Sequence, residues 1–246
     1  MLWWQDHLTG EKGQRVDRAF SDRLGGVSSG ATTSLNLGGH VGDDPDHVMQ
    51  NRGRLAEAIG VPADRLVLMD QVHGTRVEVV QTASSTTDGC DGIVTSGGDL
   101  ALVVLVADCT PVLLADADAG VVAAVHAGRP GMTQGIVDVA IDRMQELGAR
   151  EVVAAVGPSV CGRCYEVPET MRDEAEAVAP AARAVSWTGT PAIDVAAGVV
   201  EQLHRRGVGV TWVPGCTRES DRLFSYREDK HAGRQAGVIV LRSAHG

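Results

Sequence analysis

The hydrophobic pattern of the chain is strongest between residues 100 and 131. Residues 100–107 form an unbroken, Val-rich apolar run, which predicts a strand buried on both faces. Pro111 lacks a backbone N–H and is expected to interrupt the strand ladder after this run. The pattern then predicts a strand at 112–115, a turn at 116–120 and a third strand at 121–126.

The two arms of this predicted hairpin each carry a reactive side chain. Cys109 and His126 lie at nearly equal distances on either side of the turn, so pairing of the arms would bring both to the same end of the sheet. At that end the loop 127–131 leads into a helix predicted at about 132–147. A thiol and an imidazole beside a helix N-terminus are typical of an active site. Packing is the alternative role for Cys109, but the adjacent Asp108 has no packing value.

Apolar and polar segments alternate through the rest of the chain and predict both strands and helices. Strands are predicted at 16–21, 65–72, 76–81, 91–95, 151–156, 208–213, 223–227 and 236–241, and helices at 46–59, 169–178 and 192–206. Because the two types are intermixed, the sequence predicts an α/β or α+β fold with a mixed sheet. No internal repeat or low-complexity tract divides the chain, so we expect one layered domain over residues 1–246.

Composition narrows the range of partners. The formal net charge of −10 argues against nucleic acid or an anionic membrane, since both need a basic surface, whereas a few local arginines still allow an anionic small substrate. No apolar run approaches the ~20 residues of a membrane span, and the N-terminus lacks the pattern of a signal peptide. Five cysteines, an odd number, favour a cytoplasmic protein with reduced thiols. The oligomeric state is left open, with a monomer slightly favoured.

Three side chains at predicted strand ends form the best ligand set for one metal ion. His73, in the turn predicted between strands 65–72 and 76–81, joins Cys109 and His126. Two imidazoles and a thiolate suit Zn²⁺, and three protein ligands leave a fourth position open, as in catalytic zinc sites. A solvated turn histidine is the alternative interpretation of His73. The remaining histidines fall in predicted loops or on polar helix faces: His7, His40, His47, His204, His231 and His245.

A second cysteine motif, Cys161-x-x-Cys164, follows the strand predicted at 151–156. It has the spacing of half a zinc ribbon, but the chain has no second Cys-x-x-Cys pair to complete four ligands. A redox role is an alternative, although the surroundings do not resemble thioredoxin. We therefore interpret the pair as part of a substrate-site loop or as packing, and not as a metal site.

The motifs of the chain, taken in order, resemble those of the laccase-domain family. The matching segments are SLNLGGHVGDDP, NR, QVHG, DGIVT, ADCTPVLL, VAAVHAG, GPSVCGRCYEV, CT and LFSYR, from about residue 20 to residue 240. Members were long called multicopper polyphenol oxidoreductases and are now regarded as zinc-dependent purine nucleoside phosphorylases that also deaminate adenosine. The resemblance implies that His73, Cys109 and His126 bind a catalytic zinc. It also implies a three-layer α/β/α-like fold with mixed sheets, related to cysteine-hydrolase toxins that use a Cys–His pair.

The implied reaction is phosphorolysis of adenosine, inosine or guanosine to the free base and ribose-1-phosphate. Adenosine deamination and methylthioadenosine phosphorolysis are further implied activities. For deamination, zinc would activate a water, and Asp108, beside the ligand Cys109, is the candidate proton shuttle. Phosphate would need cationic or N–H donors, which arginines and the helix entrance at 128–131 offer. The candidate substrate contacts are Asn36, Arg52, Gln71, Arg129 and Arg227.

One departure and three alternatives accompany this resemblance. Many family members read HAGWRG where this chain has HAGRPG, so the Trp is absent and the Arg is displaced by one position in the implied pocket wall. A copper phenol oxidase would need many imidazoles, often as His-x-His, and no two of the eight histidines are two positions apart. A metal-free Cys–His hydrolase or deamidase would use Cys109 as nucleophile and His126 as base. A non-catalytic binding protein is the third alternative.

Overall fold

Two large sheets, a short ribbon and five helices make up the chain in a computed structural model that describes residues 1–242. His245 lies outside the described residues. The strands are β1 (Leu2–Thr9), β2 (Arg15–Ser21), β3 (Leu66–Leu68), β4 (Val77–Val79), β5 (Gly92–Thr95), β6 (Ala101–Val106), β7 (Thr110–Asp116), β8 (Val121–Ala127), β9 (Val153–Val156), β10 (Arg183–Val185), β11 (Pro191–Ile193), β12 (Gly209–Trp212) and β13 (Gln235–Arg242). The helices are α1 (Pro45–Ala58), α2 (Arg129–Thr133), α3 (Ile136–Glu146), α4 (Glu169–Val178) and α5 (Val195–Arg205).

The two large sheets are both mixed. One has the strand order β1-β2-β13-β6-β3 and the other β12-β9-β7-β8-β5-β4. Strand β3 pairs parallel with β6, β12 with β9 and β4 with β5, whereas the other neighbours are antiparallel. Strands β10 and β11 form a separate antiparallel ribbon. The predicted class, an α/β fold with mixed sheets, is confirmed.

These two sheets pack face to face, so the fold has four layers and not the three that the resemblance implied. Leu102 and Val104 of β6 enter the core between the sheets, where they meet Leu113 of β7. Ala101 and Val103, on the opposite face of β6, pack with α1. Helices α2 to α5 cover the outer face of the six-stranded sheet. Burial on both faces explains the continuous apolar run at 100–107.

The hairpin predicted around the turn 116–120 is formed by β7 and β8. Pro111 pairs with His126 inside it, so the prediction that Pro111 interrupts the ladder was wrong. Its carbonyl accepts a hydrogen bond from Gly157 N at 2.9 Å, on the β9 side. In an antiparallel strand, the backbone N and O atoms of one residue point to the same neighbouring strand. The nitrogen of Pro111, which lacks a hydrogen, therefore also faces the β9 side, just past the last residue of β9. The pairing with β8 is therefore unaffected, and the one bond that Pro111 cannot donate is to the residue that follows β9.

The strands predicted on either side of His73 do not form a hairpin. Strand β3 is three residues long and belongs to the five-stranded sheet, whereas β4 belongs to the six-stranded sheet. The chain therefore crosses between the sheets at residues 69–76. The alternation pattern gave two strands correctly but could not assign them to different sheets.

Three predicted elements end or break differently. The helix predicted at 132–147 is two helices, because Gly135 between α2 and α3 has a left-handed φ of 83°. The helix predicted at 192–206 begins only at Val195, after two residues of β11. Residues 223–227 form an irregular segment that ends in a turn, and not a strand. Among the described residues, no helix is both long and apolar enough to span a membrane.

Candidate active site

Two chain crossings between the sheets converge at one end of the β7–β8 hairpin. His73 lies in the crossing from β3 to β4 and has a φ of 64°. Asp108, with a φ of 86°, and Cys109 lie in the crossing from β6 to β7. A left-handed backbone at residues other than glycine is uncommon and concentrates at functional sites. The two crossings bring His73 and Cys109 to the end of β8, where His126 lies.

We call His73, Cys109 and His126 the strand-end cluster. Cys109 Sγ lies 3.7 Å from His73 Nε2, and the two imidazole rings meet edge to face with centroids 4.8 Å apart. One donor atom from each residue lies within 4.8 Å of the other two. Donors around a tetrahedral Zn²⁺ are about 3.5 Å apart, given the usual Zn–N and Zn–S bond lengths. The three residues therefore fit a zinc ion after small side-chain movements.

Asp91 orients two members of this cluster. Its Oδ1 accepts hydrogen bonds from His126 Nδ1 at 2.7 Å and from the backbone N–H of His73 at 2.9 Å. Its Oδ2 accepts from Gly74 N at 2.6 Å. The bond to Nδ1 leaves His126 Nε2 free for a metal, as in the carboxylate–histidine–metal arrangement. The sequence places Asp91 only at the start of a strand, because a single carboxylate before a strand carries no further pattern.

Gly128 leaves the space that the strand-end cluster occupies. A Cβ atom there would lie 2.8 Å from His73 Cδ2 and 3.3 Å from Cys109 Sγ. The HAGRPG loop therefore passes against the thiol and the imidazole at a distance that only glycine allows. Helix α2, which follows, is five residues long, so its dipole is weak, and a phosphate contact at 128–131 would depend on individual backbone N–H groups.

The ionisation of Cys109 and His126 is coupled. Burial alone would raise the pKa of the Cys109 thiol, but His126 and His73 lower it below its ordinary value. Burial would lower the pKa of His126, but Cys109 and Asp91 raise it above its ordinary value. The metal-free site therefore favours a thiolate beside an imidazolium at neutral pH. A thiolate is also the form of cysteine that binds metals.

The strand-end cluster opens into a cavity of about 730 Å³, a volume typical of small-molecule sites. Three arginines line it, Arg129, Arg227 and Arg234, in a chain whose net charge is −10. Both tyrosines of the chain also line it. The Arg227 guanidinium lies 4.3 Å from the ring centroid of Tyr165, and that of Arg234 lies 5.9 Å from Tyr226. Aromatic faces beside cations suit a ligand with a flat ring and an anion.

Asp108 lines the cavity, and both of its carboxylate oxygens are engaged. Oδ1 accepts a hydrogen bond from the Thr217 hydroxyl at 2.6 Å, and Oδ2 accepts from Arg227 N at 2.7 Å. Its carbonyl accepts from Val160 N at 3.0 Å. Asp108 thus ties three loops to the end of β6.

The other candidate contacts divide between the cavity wall and its surroundings. Gln71 lines the cavity, and its amide pairs with the Leu105 backbone at 2.8 and 2.9 Å, which continues the pairing of β3 with β6. Asn36 is buried and accepts from Arg234 N at 2.9 Å, so it positions that loop from behind. Arg52 donates to a backbone carbonyl and lines a separate depression beside α1.

His40 also lines the cavity, although the sequence placed it only in a loop. Burial and the nearby Arg234 lower the pKa of its imidazole, so the ring is neutral at pH 7. The sequence gave no signal for this, because His40 reaches the cavity through the long segment 22–44 and not from a strand end.

A second group of potential ligands lies in two loops beside the cavity, and we call it the loop cluster. Its donor atoms lie within 4.8 Å of one another and belong to Cys161, Cys164, Cys216 and Glu219. The sequence analysis found no second Cys-x-x-Cys pair, and the structure supplies Cys216-x-x-Glu219 in its place. The five cysteines of the chain are free thiols in the structure.

Known proteins share this architecture. The family described as multi-copper polyphenol oxidoreductase laccase matches residues 17–242. A protein of Streptomyces coelicolor named purine nucleoside phosphorylase is 53% identical over 90% of this chain and 94% of its own length, and one of Mycobacterium tuberculosis is 48% identical over 95% of each chain. The structure of Neisseria meningitidis protein NMB0706 has a TM-score of 0.82 at 35% identity over 93% of this chain and 95% of that one. YlmD from Geobacillus stearothermophilus has a TM-score of 0.83 at 28% identity over 96% and 99%. This chain belongs to the family described as multi-copper polyphenol oxidoreductase laccase.

Proposed function

We propose that the protein is a zinc-dependent purine nucleoside phosphorylase that also deaminates adenosine. The observation that carries the proposal is the convergence of His73, Cys109 and His126 in a cavity that also holds three arginines and two tyrosines. The names of the Streptomyces and Mycobacterium relatives support the same reaction. The substrates would be a purine nucleoside and inorganic phosphate, and methylthioadenosine is a further candidate.

The strand-end cluster would hold the zinc ion, and Asp91 would keep His126 in the tautomer that binds metal. Bound zinc supplies Lewis acidity at a coordination position that the protein leaves open. The lowered pKa of Cys109 supports a thiolate ligand at neutral pH. His126 would then be neutral, with its Nδ1–H on Asp91 and its Nε2 toward the metal.

Arg227 is the first candidate for the phosphate contact, and Arg129 and Arg234 line the same cavity. The Arg227 guanidinium is held by a hydrogen bond to the Glu166 carbonyl at 2.8 Å and by the Tyr165 ring. A fixed guanidinium can bind phosphate through two parallel hydrogen bonds. Asp108 holds the backbone of the same residue, which supports a positioning role for Asp108.

Tyr165 and Tyr226 line the cavity and would contact the purine ring. His40 would remain a neutral imidazole that can donate and accept hydrogen bonds. The HAGRPG loop puts Arg129 on the cavity wall.

The test follows adenosine by chromatography with and without phosphate. Phosphorolysis yields adenine and ribose-1-phosphate and must stop without phosphate, whereas deamination consumes only water and yields inosine and ammonia. Arg227→Ala should reduce phosphorolysis by about 10- to 100-fold, the value of one charge-assisted hydrogen bond, and leave deamination nearly intact. Arg143→Ala, on the exposed face of α3, is the matched control. Adenine formed equally fast without phosphate would contradict the phosphorylase proposal.

A metal-free Cys–His hydrolase is the second candidate, because one observation favours it. Cys109, His126 and Asp91 are arranged as nucleophile, base and orienting carboxylate. The wild-type protein would then keep its full activity after removal of metal with a chelator. Zinc-dependent turnover that returns on adding zinc would exclude this candidate.

A copper phenol oxidase is less consistent with the site. Clustered copper chemistry needs many imidazoles. In residues 1–242, the groups that could hold a metal contain only two histidines, His73 and His126. Metal analysis of the purified protein separates the alternatives. Zinc supports the phosphorylase, several copper ions support the phenol oxidase, and no metal supports the Cys–His hydrolase.

A further inference from the structure

The loop cluster arises from the pairing of two neighbouring strands. Strands β9 and β12 are parallel, with Val156 opposite Trp212, so the loops that follow them leave the same edge of the sheet. The first loop carries Cys161 and Cys164, and the second carries Cys216. A parallel bridge between Ser159 and Cys216 extends the pairing into the loops. The sheet register therefore brings two distant sequence motifs together.

Each motif forms a tight turn that puts its two donors on the same side. Cys164 N donates to Cys161 O at 2.9 Å, and Glu219 N donates to Cys216 O at 3.3 Å. Cys161 N also points at Cys216 Sγ, at 3.5 Å. The two turns thus face each other with three sulfurs and one carboxylate between them.

The side chains around the cluster orient the carboxylate and balance charge. Glu219 Oε1 accepts hydrogen bonds from Trp187 Nε1 at 2.9 Å and from Cys164 Sγ at 3.3 Å, which leaves Oε2 for another partner. Arg163 lies in the first motif, over the Trp187 ring at 4.4 Å. Arg218 lies in the second motif and donates to the Cys164 carbonyl. Two cations therefore stand beside a donor set that would be anionic once its thiols lose protons.

We propose that a second zinc ion, with a structural role, is bound by Cys161, Cys164, Cys216 and Glu219. Sulfurs of a tetrahedral zinc site are about 3.8 Å apart, and the four donor atoms here already lie within 4.8 Å of one another. Three thiolates favour zinc over magnesium or calcium, which prefer oxygen. Zinc replaces the thiol protons, which pass to solvent, and no oxidant or reductant is needed. All four coordination positions are filled by the protein, which is typical of structural sites.

A metal at this position would hold two walls of the cavity together. Tyr165, which lines the cavity, directly follows Cys164, and Thr217, which bonds Asp108, directly follows Cys216. The loop cluster does not open into the cavity through its own side chains, since none of its members lines it. We therefore expect the second zinc to support the shape of the substrate site and not to take part in the reaction.

Zinc content of the full chain, purified under reducing conditions, tests the proposal. Wild type should carry two zinc ions per chain, and Cys216→Ser should carry one less. Cys109→Ser should also lose one, and the double variant should carry none. Cys90→Ser, at a buried cysteine outside both clusters, should match wild type. If Cys109→Ser keeps the wild-type content while Cys216→Ser loses one zinc, the first site is wrong and the second stands.

Cobalt substitution keeps the test valid if Cys216→Ser folds poorly. Cobalt-loaded Cys109→Ser should show strong thiolate-to-cobalt absorption from three sulfurs and the intense visible bands of a tetrahedral ion. Glu219→Gln, which preserves the side-chain shape, should change the visible bands. An unchanged zinc content in Cys216→Ser would overturn the proposal. The denatured, metal-stripped wild type should have five free thiols. A count of three would also overturn the proposal, because a disulfide would then occupy the cluster.

Discussion

The two clusters of this protein use similar donors in different settings. The strand-end cluster has three members, one from the end of β8 and two from the chain crossings between the sheets. The loop cluster has four members, all in turns that follow β9 and β12. The first opens into the cavity, and the second does not. Ligand number and access, and not ligand type alone, therefore distinguish a reactive metal position from a structural one.

The largest expected effect is that of Cys109→Ala. Loss of one of three ligands should remove zinc from the strand-end cluster and lower both phosphorolysis and deamination by about 10³-fold or more. The fold should survive, because Cys109 lies just before β7 at the margin of the core and is only partly buried. Activity assays, zinc content and thermal unfolding measure the three quantities. Wild-type turnover by this variant would show that the cluster is not the reactive centre.

Asp91→Asn should have the next largest effect. The amide cannot accept all of the N–H donors that the Asp91 carboxylate holds, so His126 loses its fixed tautomer. We expect zinc affinity or activity to fall by about 10- to 100-fold. Titration against a chelator measures the affinity. Asp88→Asn, at an exposed carboxylate of the same segment, is the control and should match wild type.

Metal removal should separate the two clusters in time. A chelator reaches the open strand-end cluster directly, so the first zinc and the activity should disappear together. The second zinc should leave at least roughly 10-fold more slowly, because four protein ligands must be released. Its loss should lower Tm by about 4–8 °C, equivalent to about 2 kcal/mol for a chain of this size. Simultaneous loss of both metals would contradict the distinction between an open three-ligand site and a closed four-ligand site.

The smallest effect on function is expected at Asp116, at the end of the hairpin opposite the strand-end cluster. Burial opposes its charge, but the backbone N–H groups of Arg150, Ala119 and Glu151 hold the pKa of Asp116 below its ordinary value. Asp116→Asn should lower the free energy of unfolding by about 1–3 kcal/mol without changing zinc content or turnover at 25 °C.

The same carboxylate gives a pH dependence with a defined sign. Its folded pKa is depressed, so its contribution to stability is complete above the unfolded value of about 4 and is lost as the pH falls below it. Denaturant unfolding at pH 7 and pH 3 measures this. The difference between wild type and Asp116→Asn should shrink at the lower pH. A constant difference would mean that the charge of Asp116 is not responsible.

Local pattern predicted most elements correctly but not their assignment to sheets. The apolar run of β6 and the turn of the β7–β8 hairpin are properties of neighbouring residues. The assignment of β3 and β4 to different sheets depends on contacts between residues far apart in the chain. The irregular segment 223–227 has a similar origin, because the Gln235 side chain bonds the backbone N–H and C=O of Phe224 and takes the place of a strand partner. The pattern of apolar and polar residues cannot predict that a side chain takes the place of a strand partner.

The strand-end cluster was accessible from sequence because its residues stand beside recognisable strands and motifs. Asp91 and His40 were not, since their roles depend on which groups the fold brings against them. Cys161 and Cys164 were recognised, but their partners Cys216 and Glu219 are supplied by the parallel register of β9 and β12. That register cannot be read from spacing along one chain.

The position of β13 has a consequence for synthesis on the ribosome. This strand is the last in the described chain, yet it lies in the interior of its sheet, between β2 and β6. Until it emerges, the growing chain holds two apolar strands with unpaired edges, and such edges promote aggregation. The segment just before it carries Arg227 and Arg234, so the cavity wall is also completed last. A chain that stops early would be a substrate for chaperones and proteases, and not a partly active enzyme.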